Sequence, residues 1–176
     1  AVLFHKFENS PFTNCKKNDI IMSDGTKAAD QEENGMNLRI VERDIKRFLN
    51  KELGLDFEFE RKDDRLRATN ELTLRGHDDN IYVAIDMYES GSFGVDFVFD
   101  KLEENPQTLA LINEFNRNSV WLTAMIRDDG YLVLRYNVMA GTVDDLAGNI
   151  RGIMNQLTTD KIGAVLKPLT QLTQSD

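Results

Sequence analysis

"IYVAIDMYESGSFGVDFVF", residues 81–99, sets two apolar alternations on either side of a Ser-Gly-Ser break. Ile81, Val83, Ile85 and Met87 occupy every second position before it, and Phe93, Val95, Phe97 and Phe99 every second position after it. Residues two apart share one face of a strand, so the runs read as an antiparallel hairpin with one face buried. A three-residue loop Ser90-Gly91-Ser92 pairs Met87 with Val95, Ile85 with Phe97 and Val83 with Phe99, whereas a four-residue loop would bury Asp96 beside Ile85. The three-residue register sets Asp86 directly opposite Asp96 on the less apolar face. Like charges so placed destabilise a sheet, so water, an arginine or cation, or a basic partner is expected between them.

Upstream, the period lengthens to that of a helix. Leu38, Val41, Ile45, Phe48 and Leu49 fall on one side of a 3.6-residue helix starting near Met36, and Gly54 is placed to end it in left-handed backbone. Phe57 with Phe59, and Leu72 with Leu74, alternate as further strands. Downstream, Pro106 suits the first turn of a short helix with Leu109, Ile112 and Phe115 facing inward. Asn116, Arg117, Asn118 and Ser119 stand at its exit, where Asn tolerates the left-handed conformation. A second hairpin follows around Asp128-Asp129-Gly130, a three-residue loop with glycine at the positive-φ position. Thr142 reads as an N-cap with Asp145 at the third helical position, ahead of a buried stripe of Val143, Leu146, Ile150, Ile153 and Leu157. Ile162, Val165, Leu166 and Leu169 predict a last helical segment interrupted at Pro168. The class is α+β, with an antiparallel sheet flanked by N- and C-terminal helices in one domain, residues 36–176. Residues 1–35 have little to bury and are expected to form a flexible arm, although the more apolar "AVLFHKF" at their start could dock on the domain.

A chain of 176 residues with 41% hydrophobic content suffices for one core. Its 30 acidic and 21 basic residues give a formal charge of -9, which repels phosphate backbones and anionic lipid, so neither nucleic acid nor membrane is expected as a partner. The acidity is local: residues 71–105 hold nine acidic side chains against two basic ones. On the outer face of the first helix, Glu42 is set to pair with Lys46. The single Cys15 excludes an internal disulfide and a thiolate metal site. No apolar run approaches the roughly 18 residues of a membrane span, and no charged-then-apolar signal opens the chain. A soluble, cytoplasmic protein is expected.

The run "LINEFNRNSVWLTAMIRDDGYLVLRYNV", followed by a capped amphipathic helix, resembles the C-terminal half of the YbjN-like family, described as bacterial sensory transduction regulators. The family's helix ending in Asn and Arg, strand, Gly-containing turn, apolar strand and final helix are matched by Asn116 and Arg117, Trp121 to Arg127, Asp128 to Gly130, and Leu132 to Tyr136. With the leading helix and strands, the likeness covers roughly residues 36–157. The arm, an extra strand around Phe57 to Arg61 and the apolar tail after Thr158 depart from it. The resemblance implies a fold like that of type III secretion chaperones. It also implies a noncatalytic domain, often dimeric, with an open sheet face offered to a protein partner, and it carries no catalytic residues.

The residues themselves offer little chemistry. His5 and His77 are the only histidines, so neither a histidine-based metal cluster nor a Ser-His-Asp triad has material, and no cofactor is expected. His77-Asp78-Asp79-Asn80 lacks the oxygen spacing of a calcium loop and reads as a turn. A competing function, a small-ligand or metal-dependent enzyme, would use Asp86, Asp96 and the Asp78-Asp79 loop. Protein binding has better candidates. One hairpin face is expected to carry Trp121, Thr123, Met125, Val133 and Arg135, half apolar and with residue types favoured at interface centres. Gly148 and Gly152, one turn apart and rotated away from the core stripe, are expected to supply a homodimer contact.

Overall fold

Leu38, Val41, Ile45 and Phe48 bury one side of helix α1 (Leu38–Phe48), which Asn37 caps by accepting from the Arg39 amide. The helix runs on as a π-helical turn, Leu49–Leu53, and stops at Gly54, whose φ of 68° is the expected left-handed terminus. The computed structural model describes residues 36–73, 80–139, 142–157 and 159–173. The N-terminal stretch 1–35, with His5 and Cys15, and the turn bearing His77, Asp78 and Asp79 lie outside the described residues.

Six antiparallel strands follow: β1 (Glu58–Lys62), β2 (Arg65–Thr73), β3 (Asn80–Tyr88), β4 (Ser92–Lys101), β5 (Thr123–Ile126) and β6 (Tyr131–Met139). Their order in the sheet is β1-β2-β3-β4-β6-β5. Helix α2 (Pro106–Asn118) lies between β4 and β5 in the chain, and α3 (Val143–Leu157) and α4 (Asp160–Thr170) close the described residues. The alternate residues of β3 and β4 named above form one buried cluster with Ile45, Phe115, Leu146, Ile153 and Leu166 of the helices. The other face of the sheet contributes nothing to that cluster.

The β3–β4 register differs from the sequence expectation by two residues. Met87 faces Phe93, Ile85 faces Val95 and Val83 faces Phe97, so the three-residue loop is Glu89-Ser90-Gly91. The reason is Gly91, whose φ is 82° and whose amide donates to the Tyr88 carbonyl at 2.9 Å. This loop needs left-handed backbone at its third residue, and only the observed register puts the glycine there. The Asp128-Asp129-Gly130 loop is built the same way, with Gly130 at φ 89° and its amide on the Arg127 carbonyl at 2.8 Å. A shift of two preserves side-chain alternation, so the core is unaffected while cross-strand partners change.

Other local expectations meet tertiary competition. Leu109 is 41% exposed, and Thr108 takes the buried place because its hydroxyl and the Asn105 side chain cap α2 reciprocally. The helix exits through extended backbone at Ser119, with no left-handed Asn. Glu42 reaches across to Arg61 instead of pairing with Lys46, whose ammonium lies over the Phe59 ring. Pro168 does not interrupt α4, which continues through it to Thr170; so near the end, the proline costs one backbone hydrogen bond and leaves the rest of the helix intact. The Thr142 cap is as read, with its hydroxyl accepting from the Asp145 amide at 3.1 Å.

Two glycines should respond to alanine with opposite signs. Gly130→Ala forces an L side chain into left-handed backbone and is expected to cost about 1–2 kcal/mol. Gly148→Ala adds a methyl to a helical site with nothing within 4 Å, and should stabilise by up to about 1 kcal/mol. Urea unfolding of the two variants reads both signs.

Candidate functional site

The register sorts the face away from the helices into rows that cross the sheet. One row runs Arg67, Asp86, Gly94, Asn137; the next runs Thr69, Ala84, Asp96, Arg135, Thr123. A third, Tyr82, Val98, Val133 and Met125, is apolar across four strands, with Glu71 at its end. Tyr82 is 42% exposed, whereas Val133 and Ala84 are buried although neither belongs to the helix-side cluster.

Asp86 and Asp96 are not opposed. Asp86 faces Gly94 on one side and Arg67 on the other; Asp96 faces Ala84 and Arg135. Each carboxylate is held by two guanidinium hydrogen bonds, at 2.8 and 2.7 Å from Arg67 and at 2.7 and 2.7 Å from Arg135. Arg65 approaches Asp86 as well, at 3.8 Å. The fork geometry is the strong form of ion pairing, and it raises the pKa of Arg67 and of Arg135 above the ordinary guanidinium value through these hydrogen bonds, against the opposing pull of partial burial. Each carboxylate thus has an arginine as its neighbour on the adjoining strand, and Asp86 has a second one nearby.

Between the two ion pairs the face dips. Gly94 has no side chain there, and a Cβ would come 2.6 Å from the Asn137 amide oxygen. The resulting open concavity of about 660 Å³ has both Arg–Asp pairs, Gly94 and Asn137 in its lining. Both oxygens of each carboxylate accept from a guanidinium. Among the described residues no group of three or more His, Cys, Asp or Glu side chains is arranged to hold a metal ion.

Of the residues expected to bind a partner, Thr123, Met125, Val133 and Arg135 lie together on this face. Trp121 does not. It precedes β5 and escapes strand alternation, so its indole turns to the helix side, 5.6 Å from the Tyr136 ring centroid and against Gly152. A Cβ on Gly152 would meet that indole at 3.4 Å. The close approach that glycine permits there is therefore made within the chain, while Gly148 stays open. Sequence reasoning missed Arg67, Tyr82 and Val98, because membership of a row depends on register across three strands.

Asn116 has a role that a helix-exit reading could not reveal. Its side-chain amide donates to the Ala124 carbonyl at 3.1 Å and accepts from the Ala124 amide at 2.7 Å. Those groups point off the free edge of β5, so one side chain stands in for a neighbouring strand. Ser119 extends the junction, accepting from the Leu122 amide and from the Gln156 side chain.

Asp96→Asn should destabilise the protein by about 1–2 kcal/mol in chemical denaturation, since Arg135 loses its ionised partner at a site only partly shielded from water. The opposed-carboxylate register implies the reverse sign. Gly152→Leu should displace the indole, and because Trp121 is the only tryptophan, a red-shifted emission spectrum reports the event directly.

Among the described residues no helix is long and apolar enough to cross a membrane. No curated protein and no solved structure matches the chain. The YbjN family, whose description reads "Putative bacterial sensory transduction regulator", matches residues 43–148. That span runs from α1 into α3 and includes every strand, so the chain belongs to the YbjN family.

Proposed function

We propose that this protein is a noncatalytic, chaperone-like regulatory domain that docks a protein partner on the helix-free face of its sheet. The observation that carries the reading is the apolar row Tyr82, Val98, Val133 and Met125, with the Asp96–Arg135 pair in the adjoining row and the Asp86–Arg67 pair in the row beyond. Covering Tyr82, Val98 and Met125 removes apolar surface from water, Val133 being buried already, and the two aspartates beside the row keep their arginine partners when covered. Thr123 and Arg135 supply polar contacts beside the row. The family description as a regulator is compatible with this reading.

A homodimer belongs to the same proposal. Gly148 remains available for close approach by another backbone, whereas Gly152 already has Trp121 against it. The competing reading, a small-ligand or metal-dependent enzyme built on Asp86 and Asp96, has the concavity in its favour and the occupied carboxylates against it.

A photoreactive benzoylphenylalanine introduced at Val98, and separately at the exposed Leu109 of α2 as control, tests the docking face in cells. Irradiation is expected to give a protein adduct from position 98 and none from 109. Adducts from 109 alone would move the docking surface to the helices.

A further inference from the structure

The concavity around Gly94 has guanidinium donors to spare. Each fork occupies Nε and Nη2 of its arginine, so the Nη1 groups of Arg67 and Arg135 keep their protons unspent among the described residues. Arg65 has more to offer. It stands on the same face of β2, two residues before Arg67 and opposite Tyr88, and its Nε lies 3.8 Å from an Asp86 oxygen. That is too far for a hydrogen bond, and both Asp86 oxygens already accept from Arg67. Among the described residues the Arg65 side chain makes no hydrogen bond, although only 30% of it is exposed. A third guanidinium is within electrostatic reach of the same carboxylate: the Arg135 pKa is raised mainly by its hydrogen bonds to Asp96 and, in smaller part, by the charge of Asp86.

The two rows nearest the Glu89-Ser90-Gly91 loop hold Lys62, Arg65 and Arg67 against Glu60 and Asp86. They carry a net positive charge in a chain whose formal charge is -9. Beside them, Arg135 with Asp96 and Arg127 with Asp129 are neutral pairs. The rest of the lining is of another kind. Tyr88 and the 67% exposed Met139 offer aromatic and apolar surface at the loop end, and the glycine leaves the floor between them and Asn137 clear. At about 660 Å³ the concavity lies within the roughly 300–1,000 Å³ of small-molecule sites.

We infer that this concavity binds a small organic oxyanion, a phosphate or carboxylate carried on an apolar body, with Arg65 taking the charged group and Gly94 making room for the body beside Tyr88 and Met139. Guanidinium is the side chain suited to such oxyanions, and arginines braced by aspartate are held ready for one. The inference stands apart from the docking reading. Titration of the isotope-labelled full chain with phenyl phosphate, benzoate, inorganic phosphate and benzyl alcohol, at constant ionic strength, reads the site through the arginine Nε–H signals and the Gly94 amide. Saturable shifts at Arg65 and Gly94 are expected with the aromatic anions, weaker binding with inorganic phosphate and none with benzyl alcohol; the tighter of phenyl phosphate and benzoate names the group. Arg65→Gln should weaken that anion by about tenfold or more, as loss of a charged hydrogen bond does, with the melting temperature retained. Gly94→Val should weaken the aromatic anions and spare inorganic phosphate; if that variant fails to fold, Arg65→Gln decides alone. No saturable shift with any anion at millimolar concentration overturns the inference. So does an equal shift at Arg43, exposed on α1, which would mark an adventitious ion only, or equal binding of benzyl alcohol, or unchanged affinity in Arg65→Gln.

Discussion

A glycine confined to the third position of a three-residue loop governs the layout of this sheet. Gly91 adopts a φ of 82° that other residues reach only with strain, and fixing it there fixes which residue of β3 faces which residue of β4. Every cross-sheet row inherits that choice. With the loop shifted by one residue the two aspartates would confront each other across the hairpin, each still facing its own arginine on the other side. As built, each aspartate faces a residue without charge on its hairpin side and an arginine on the other, and two bidentate ion pairs result.

The two faces solve different problems. The helix side is a continuous apolar cluster into which α1, α2, α3 and α4 all contribute. Its margins are closed by specific devices: the Asn116 amide satisfies the outward backbone groups of β5, and Trp121 lies across Gly152 beside Tyr136, which itself packs edge-on against Phe93 at 5.8 Å. Burial there raises the Tyr136 phenol pKa above its ordinary value. The opposite edge of the sheet, β1, is short and alternates charge with Phe59, a composition that discourages further strand addition. Strand addition is thus discouraged on one side by the Asn116 side chain of α2 and on the other by charge.

That division explains why a regulatory reading suits the molecule better than a catalytic one. A catalytic carboxylate needs an oxygen within reach of the proton it moves. Asp86 and Asp96 have strong permanent partners, and those partners neutralise the face without dismantling its apolar row. Preorganised, mutually satisfied charges next to exposed apolar surface favour recognition over turnover.

The alternation of Ile81 to Phe99, the helical stripes and the cap at Thr142 are local patterns, so the α+β class, most of the buried residues and the second hairpin loop were determined by sequence alone, Leu109 being an exception. The YbjN likeness was legible for the same reason, since it rests on the order of those elements. The outward rows were not legible. A register shift of two leaves every side chain on its own face and the hydrophobic pattern untouched, so burial cannot choose between registers, and only loop backbone geometry does. Pairings distant in sequence were equally hidden: Arg67 lies 19 residues from Asp86, and Arg135 lies 39 from Asp96. Trp121 followed strand alternation on paper, but the strand begins two residues later, and the indole is held by helix α3, which the sequence places about thirty residues downstream. Local periodicity encodes which side chains are apolar and inward; closure of the sheet and packing of the helices decide which of the remaining ones meet.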